Sequence, residues 1–198
     1  MSKFALFLCG CLAAVLTVQS CKTSPSGVTR IEETTVTDLS GRWNDTDARL
    51  VAKAMVDQVL SQAWLNNFVG ANDRKPVVIL GMVRNKTHEH IDPEVFTKEV
   101  ERAFINAQTV RVVQGGEKRA EIRAERADQQ EYASTSSMKK WGLEVGADYM
   151  MQGSINSIVD SNNKQKVIYY KVNLELTDIQ TNEIVWIGDK EIKKLVDN

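Results

Sequence analysis

The chain has 198 residues, of which 42% are hydrophobic and 26% charged, with a formal net charge of −1. That length can bury one sizeable core, and the near-balanced charge excludes a general nucleic-acid or anionic-membrane surface. The cysteines Cys9, Cys11 and Cys21 all lie at the N-terminal end, which leaves the rest of the chain without a disulfide, a thiol nucleophile or a cysteine metal site.

The first residues carry one cation, Lys3, and then an apolar run from Phe4 to Val18. At about fifteen residues the run fits a signal-peptide core and falls short of the roughly 20 that span a bilayer. Val18, Gln19, Ser20 and Cys21 follow the lipobox order of a branched apolar residue, a variable one, a small one and then cysteine. Residues 1–20 are therefore expected to be a lipoprotein signal peptide, with Val18 and Ser20 read by signal peptidase II and the Cys21 thiol taking the lipid. Two acyl chains or more make such attachment durable, at roughly 0.8 kcal/mol per buried methylene. Cleaved secretion and a retained membrane segment are the alternatives. Cys11 has too little apolar sequence before it to serve instead. The segment 22–37, "KTSPSGVTRIEETTVT", is polar and turn-prone, and residues 21–38 are expected to form the lipidated cysteine and a short flexible tether. Residues 39–198 are expected to form one globular domain.

Within that domain, 44–68 predicts a helix capped by Asn44 or Asp45, with Val51, Ala54, Met55, Val59 and Ala63 on its apolar side. Trp43 before it is expected to staple onto that helix, with exposure to a partner as the alternative. "KPVVILGMV" (75–83) predicts a central strand. Asp92 and Pro93 then start a helix over 93–107 that buries Phe96, Val100, Ala103 and Phe104. A strand at 109–113 and a "QGG" turn follow. "EKRAEIRAERADQQEYA" predicts a solvated helix resting on a thin stripe, its glutamates neutralising its arginines, with a docking surface for a protein at 119–126 as the alternative. "SMKKWGLEVG" (137–146) predicts a short further helix. Trp64 and Trp141 are expected half-buried on helices, and Trp186 either in the sheet core or packing a helix onto it.

The C-terminal third changes period. In 165–180, Ile168, Tyr170, Val172, Leu174 and Leu176 alternate with polar residues and with Tyr169, the pattern of a strand with one buried face. With 147–159 before it and "IVWIGDKEIKKL" after the "QTNE" turn, it predicts an antiparallel meander. The fold class is thus α/β: a mixed sheet of about five strands with helices over one or both faces.

Catalytic chemistry is sparse. His88 and His90, with Glu89, Asp92 and Glu94, are the sharpest metal candidate, but the spacing is not that of a zinc protease and no third histidine exists. A solvated loop is the better reading. Asp45 and Asp47 suit a helix start without catalysis. Gly115 and Gly116 read as turn and cap, and Ser134, Ser136 and Ser137 have no histidine base nearby. No cofactor, no catalytic residue and no nucleic-acid partner is expected, and the chain is not expected to be an enzyme.

Four stretches in order, "DLSGRWNDTDARLVAKAMVDQVL" (38–60), "KPVVILGMVRNKTHEHIDPEVFTKEVERAF" (75–104), "VGADYMMQGSI" (145–155) and "LTDIQTNEIVWIGDKEIKK" (176–194), resemble the LpoB-like lipoproteins. The resemblance implies a fold similar to the N-terminal domain of TolB. It also implies an outer-membrane lipoprotein whose domain lies in the periplasm, where it binds a bifunctional class A penicillin-binding protein and stimulates peptidoglycan synthesis without catalysis of its own. Where the enterobacterial pattern has a long proline-rich linker, this chain has only the segment 22–37; Lys22 is compatible with export past the inner membrane. Trp43, Arg84, Asn85 and Lys86 are the partner-contact candidates, at a helix start and a strand-end loop. A secretion or assembly lipoprotein of the CsgG-like kind is the alternative, and a metal-dependent envelope enzyme on His88 and His90 a further one.

Overall fold

A computed structural model of the protein describes residues 27–134, 136–137 and 143–197. By its contacts the chain divides into two units, Met1–Thr35 and Val36–Asn198. In the first, the described residues contain one turn, closed by Thr35 N–H donating to Glu32 O at 3.0 Å. The second contains the elements α1 (Asp45–Leu60), α2 (Ala63–Asn72), β1 (Val77–Asn85), α3 (Pro93–Ala107), β2 (Arg111–Val113), α4 (Gly116–Tyr132), β3 (Tyr149–Ser161), β4 (Gln165–Asp178) and β5 (Ile184–Asp197).

The strands form one sheet in the order β2-β1-β3-β4-β5. β1 is parallel to both β2 and β3, and β3, β4 and β5 make an antiparallel meander. One face of this mixed sheet is dry. On β4 the alternate residues Ile168, Tyr170, Val172, Leu174 and Leu176 are fully buried, as their period requires. They meet Val51, Met55, Val56 and Val59 of α1 and Phe96, Val100 and Phe104 of α3 in a single core. Burial of a side chain such as Phe96 or Phe104 contributes about 1.5–3 kcal/mol before entropic costs. The opposite face carries half-buried Ser154, Lys171, Asn173 and Glu175. β3 and β4 approach closely at Gly153, where a Cβ would lie 2.1 Å from the Asn173 carbonyl oxygen.

The helix expected over 44–68 is two helices. Ser61 and Gln62 interrupt it, and the buried Trp64 indole N–H donates to Val59 O at 2.7 Å, a carbonyl at the end of α1 that also accepts Gln62 N–H at 3.3 Å. Trp64 and Phe68 then pack edge-on against Tyr149, at ring-centroid distances of 5.0 and 5.6 Å. The apolar side of α1 also differs from expectation: Ala52 and Val56 are buried, and Ala54 is half-exposed. β1 starts two residues later than expected and runs to Asn85. Half of the expected helix at 137–146, including Trp141, lies outside the described residues; 143–146 is loop.

The start of α1 carries a buried ionic cluster. Asn44 and Asp47 form a capping box, each side chain accepting the other's backbone N–H at 3.0 Å. Lys194 of β5 donates to Asp47 Oδ2 and to Asp38 Oδ1, both at 2.6 Å, and to Arg42 O at 3.1 Å. Burial pulls the Lys194 ammonium pKa down, but the hydrogen bonds to Asp38 and Asp47 outweigh it and hold the pKa above its ordinary value.

At the other end of the sheet, Arg74 grips Asp148 with two hydrogen bonds of 2.8 and 2.7 Å, and Val77 N–H donates to Asp148 Oδ2 at 2.7 Å. The Arg74 hydrogen bond, seconded by Val77, holds the Asp148 carboxyl below the usual carboxylate range against the effect of burial. A carboxylate whose pKa is depressed on folding stabilises above its unfolded pKa of about 3.9 and loses that contribution as the pH falls through the folded value. Thermal melts of Asp148→Asn are therefore expected to show a lower Tm than wild type at pH 7, with the gap closing below about pH 4. A gap that stays constant down to pH 2.5 would contradict this.

α4 has no buried residue, and Ile122, the expected thin stripe, is 40% exposed. Arg123 holds the helix to the following loop through Glu144, with Nε and Nη2 at 2.9 and 2.8 Å from the two carboxylate oxygens.

Candidate functional site

The contact candidates Arg84, Asn85 and Lys86 lie where β1 ends and the loop to α3 begins. Asn85 builds that loop. Its Nδ2 donates to Glu89 O at 2.8 Å and Ile91 O at 3.1 Å, while its Oδ1 accepts from Thr87 N at 2.9 Å and Thr87 Oγ1 at 2.8 Å. This is an Asx turn extended by a second bond. The Asn85 side chain is thus committed to loop structure, which leaves the exposed side chains of Arg84 and Lys86 as the outward-facing pair.

Glu89 fastens the loop to the core. Its Oε1 accepts from the Tyr170 hydroxyl at 2.6 Å and its Oε2 from Trp43 N–H at 3.2 Å. Burial, together with the Glu89 carboxylate beside it, pushes the Tyr170 phenol far above its ordinary pKa, so the group stays a donor at any physiological pH. Trp43 is half-buried and packs edge-on against Phe96 and Tyr170, with centroids 6.3 and 5.6 Å away. It joins α3 to β4 behind the loop.

Two open grooves flank Arg84 and Lys86. One, of about 640 Å³, runs along the end of β1 to the start of α3 and includes Asp92, Glu94 and Thr97. The other, of about 300 Å³, lies on the polar sheet face and includes Gln152, Ser154, Asn173 and Glu175. Met82, 67% exposed, borders both. The rim therefore combines two cations, an exposed thioether and several amides and acids, a composition suited to a protein surface. Sequence reasoning missed Met82 and the Gln152–Glu175 side of the rim, because a methionine inside "VVILGMV" looks like core.

The carboxylates around His88 and His90 have other work. Glu89 points inward, Asp92 caps α3 by accepting from Glu94 N–H at 2.8 Å, and Glu94 pairs with Lys118. Both histidines are exposed. Among the described residues no group of three or more His, Cys, Asp or Glu could hold a metal ion, and no helix is long and apolar enough to cross a membrane. Val18, Ser20 and Cys21 lie outside the described residues.

A comparison with curated proteins finds no match. Among solved structures, the LpoB C-terminal domain from Escherichia coli is similar at 19% identity, covering 75% of this chain and 99% of that one, with a TM-score of 0.43. The corresponding domain from Salmonella enterica is similar at 16% identity, with the same coverage and a TM-score of 0.40. The NMR structure of Escherichia coli LpoB is similar at 18% identity, covering 93% of this chain and 85% of that one, with a TM-score of 0.40. The model of the family described as peptidoglycan-synthase activator LpoB matches residues 47–192, from the capping box of α1 to the middle of β5. Lipoproteins of this type are anchored in the outer membrane with the C-terminal domain in the periplasm, and this chain has that placement. The chain belongs to the LpoB family.

Proposed function

We propose that this protein binds a bifunctional class A penicillin-binding protein and raises its rate of peptidoglycan synthesis, acting as a regulator and not as a catalyst. The family match over residues 47–192 carries this reading. The exposed cations Arg84, at the end of β1, and Lys86, on a loop pinned to the core through Asn85 and Glu89, supply a preorganised contact surface. Trp43 and Asn85 act from behind it, as its support. In the same proposal, residues 1–20 are removed as a signal peptide, Cys21 carries the lipid, residues 21–38 form the tether, and the domain of 39–198 shares the fold of the TolB N-terminal domain.

Pull-down and glycan-polymerisation assays with the intact lipoprotein and the organism's class A synthases test the reading. Binding and a rise in initial rate are expected with one of them. Arg84→Glu combined with Lys86→Glu is expected to weaken binding by about tenfold or more, because like charges brought together at an interface are strongly unfavourable. Neither binding nor a rate change with any synthase would sink the proposal.

A further inference from the structure

α4 carries a charge pattern that the synthase reading does not use. At 3.6 residues per turn, Arg119, Ile122, Arg123 and Arg126 share one side of the helix. Glu117, Glu121, Glu125, Asp128 and Glu131 occupy the opposite side. No acidic residue stands three or four positions from any of these arginines, so none can form the intrahelical pair that such a composition normally supplies. The expectation that the helix's own glutamates neutralise its arginines is therefore corrected: the charges are sorted onto opposite sides.

What answers the arginines comes from the loop before β3. The Glu144 carboxylate lies 2.8 Å from Arg123, 3.3 Å from Arg126 and 3.9 Å from Arg119. Arg123 meets it with the two-pronged geometry that a guanidinium reserves for carboxylates and phosphates. Arg119 and Arg123 alone already bring two positive charges to one negative charge. All of these groups are within solvent reach, with side-chain exposures of 31% for Arg119 and Glu144 and 57% for Arg123. Ile122 and Val145, 40% and 44% exposed, border the same groove, which measures about 210 Å³.

We propose that this stripe of α4 is a docking site for an acidic, apolar-spaced segment of a partner protein, and that Glu144 is a tethered stand-in for the partner's carboxylate. The excess positive charge selects acids, the fork of Arg123 selects a planar carboxylate, and Ile122 with Val145 gives the intervening apolar residues a surface. None of the residues assigned to synthase contact is involved. Because Glu144 sits on the same chain it competes at high effective concentration, so removing its charge strengthens binding.

The test is fluorescence anisotropy on the intact lipoprotein in detergent, with a labelled peptide of alternating Glu and Leu as probe. A Gln-for-Glu peptide and dextran sulfate serve as comparisons. Salt-sensitive binding of the acidic peptide is expected, tightened about threefold to fivefold by Glu144→Gln, the worth of one exposed ion pair. Binding is expected to be lost in Arg119→Glu/Arg123→Glu. Should that variant fail to fold, Arg119→Gln/Arg123→Gln and amide shift mapping on the wild type give the same readout. Absence of peptide binding to both wild type and Glu144→Gln overturns the proposal. So does equal binding of the Gln peptide, or a dextran sulfate complex at α4 without a peptide complex, which would point to an anionic glycan. Weaker binding in Glu144→Gln would make Glu144 a structural strut and overturn the stand-in role.

Discussion

Lys194→Ala is expected to cost about 3–5 kcal/mol, the largest effect of any single surface-derived charge in the domain, because it strands the Asp47 carboxylate away from water. The side chains of Asp47 and Lys194 are each 8% exposed. Asp47 also supports the first turn of α1 by accepting Asn44 N–H, so the loss spreads into the helix cap, itself worth about 1 kcal/mol. For a domain of this size the shift corresponds to a fall in Tm of roughly 10 °C or more. Lys194→Met combined with Asp47→Asn removes the stranded charge and is expected to recover a substantial part of the loss. Thermal melts of Lys194→Met, Asp47→Asn and the double variant check this, and additivity of the two single changes would rule out coupling.

Glu89→Ala is expected to have the second largest effect, and to act on function more than on folding. The variant leaves the fully buried Tyr170 hydroxyl without its acceptor, at about 1–3 kcal/mol. It also frees Trp43 N–H and unpins the loop that carries Lys86, next to Arg84 at the end of β1. Under the synthase proposal, stimulation of glycan polymerisation falls sharply while the far-ultraviolet spectrum stays native. Glu89→Gln can still accept from one of the two donors and is expected to lie between wild type and Glu89→Ala in both assays. Full stimulation by a folded Glu89→Ala would show that the loop need not be held.

The elements that the sequence declares well are those whose side chains follow one period without interruption. The burial of Ile168, Tyr170, Val172, Leu174 and Leu176 is readable because strand alternation needs no knowledge of the partner strand. The same holds for Phe96, Val100 and Phe104 on α3, and for Asp92 and Pro93 at its start. The break between α1 and α2 is hidden, since the apolar spacing from Val59 to Ala63 continues across it and only the Trp64 indole marks it. Lys194 is illegible for a different reason. It sits in "EIKKL" like any surface lysine, and its partners Asp38 and Asp47 lie 156 and 147 residues away. At the candidate site, Arg84, Asn85 and Lys86 could be named from the strand end. The division of labour among them follows from hydrogen bonds that a linear reading does not show. The sorting of charge on α4 was available to anyone counting positions and not merely charges, since i, i+3 and i, i+4 neighbours decide which ions can meet.

Lys194 also bears on mechanics. A domain held to a membrane from its N-terminal side receives any pull at residues 37–44, where the chain joins α1. There Lys194 ties Asp38 and the Arg42 carbonyl to β5, and β5 is laced along its length to β4. Tension is thereby handed to a ladder of backbone bonds and is not left to peel the first helix away turn by turn.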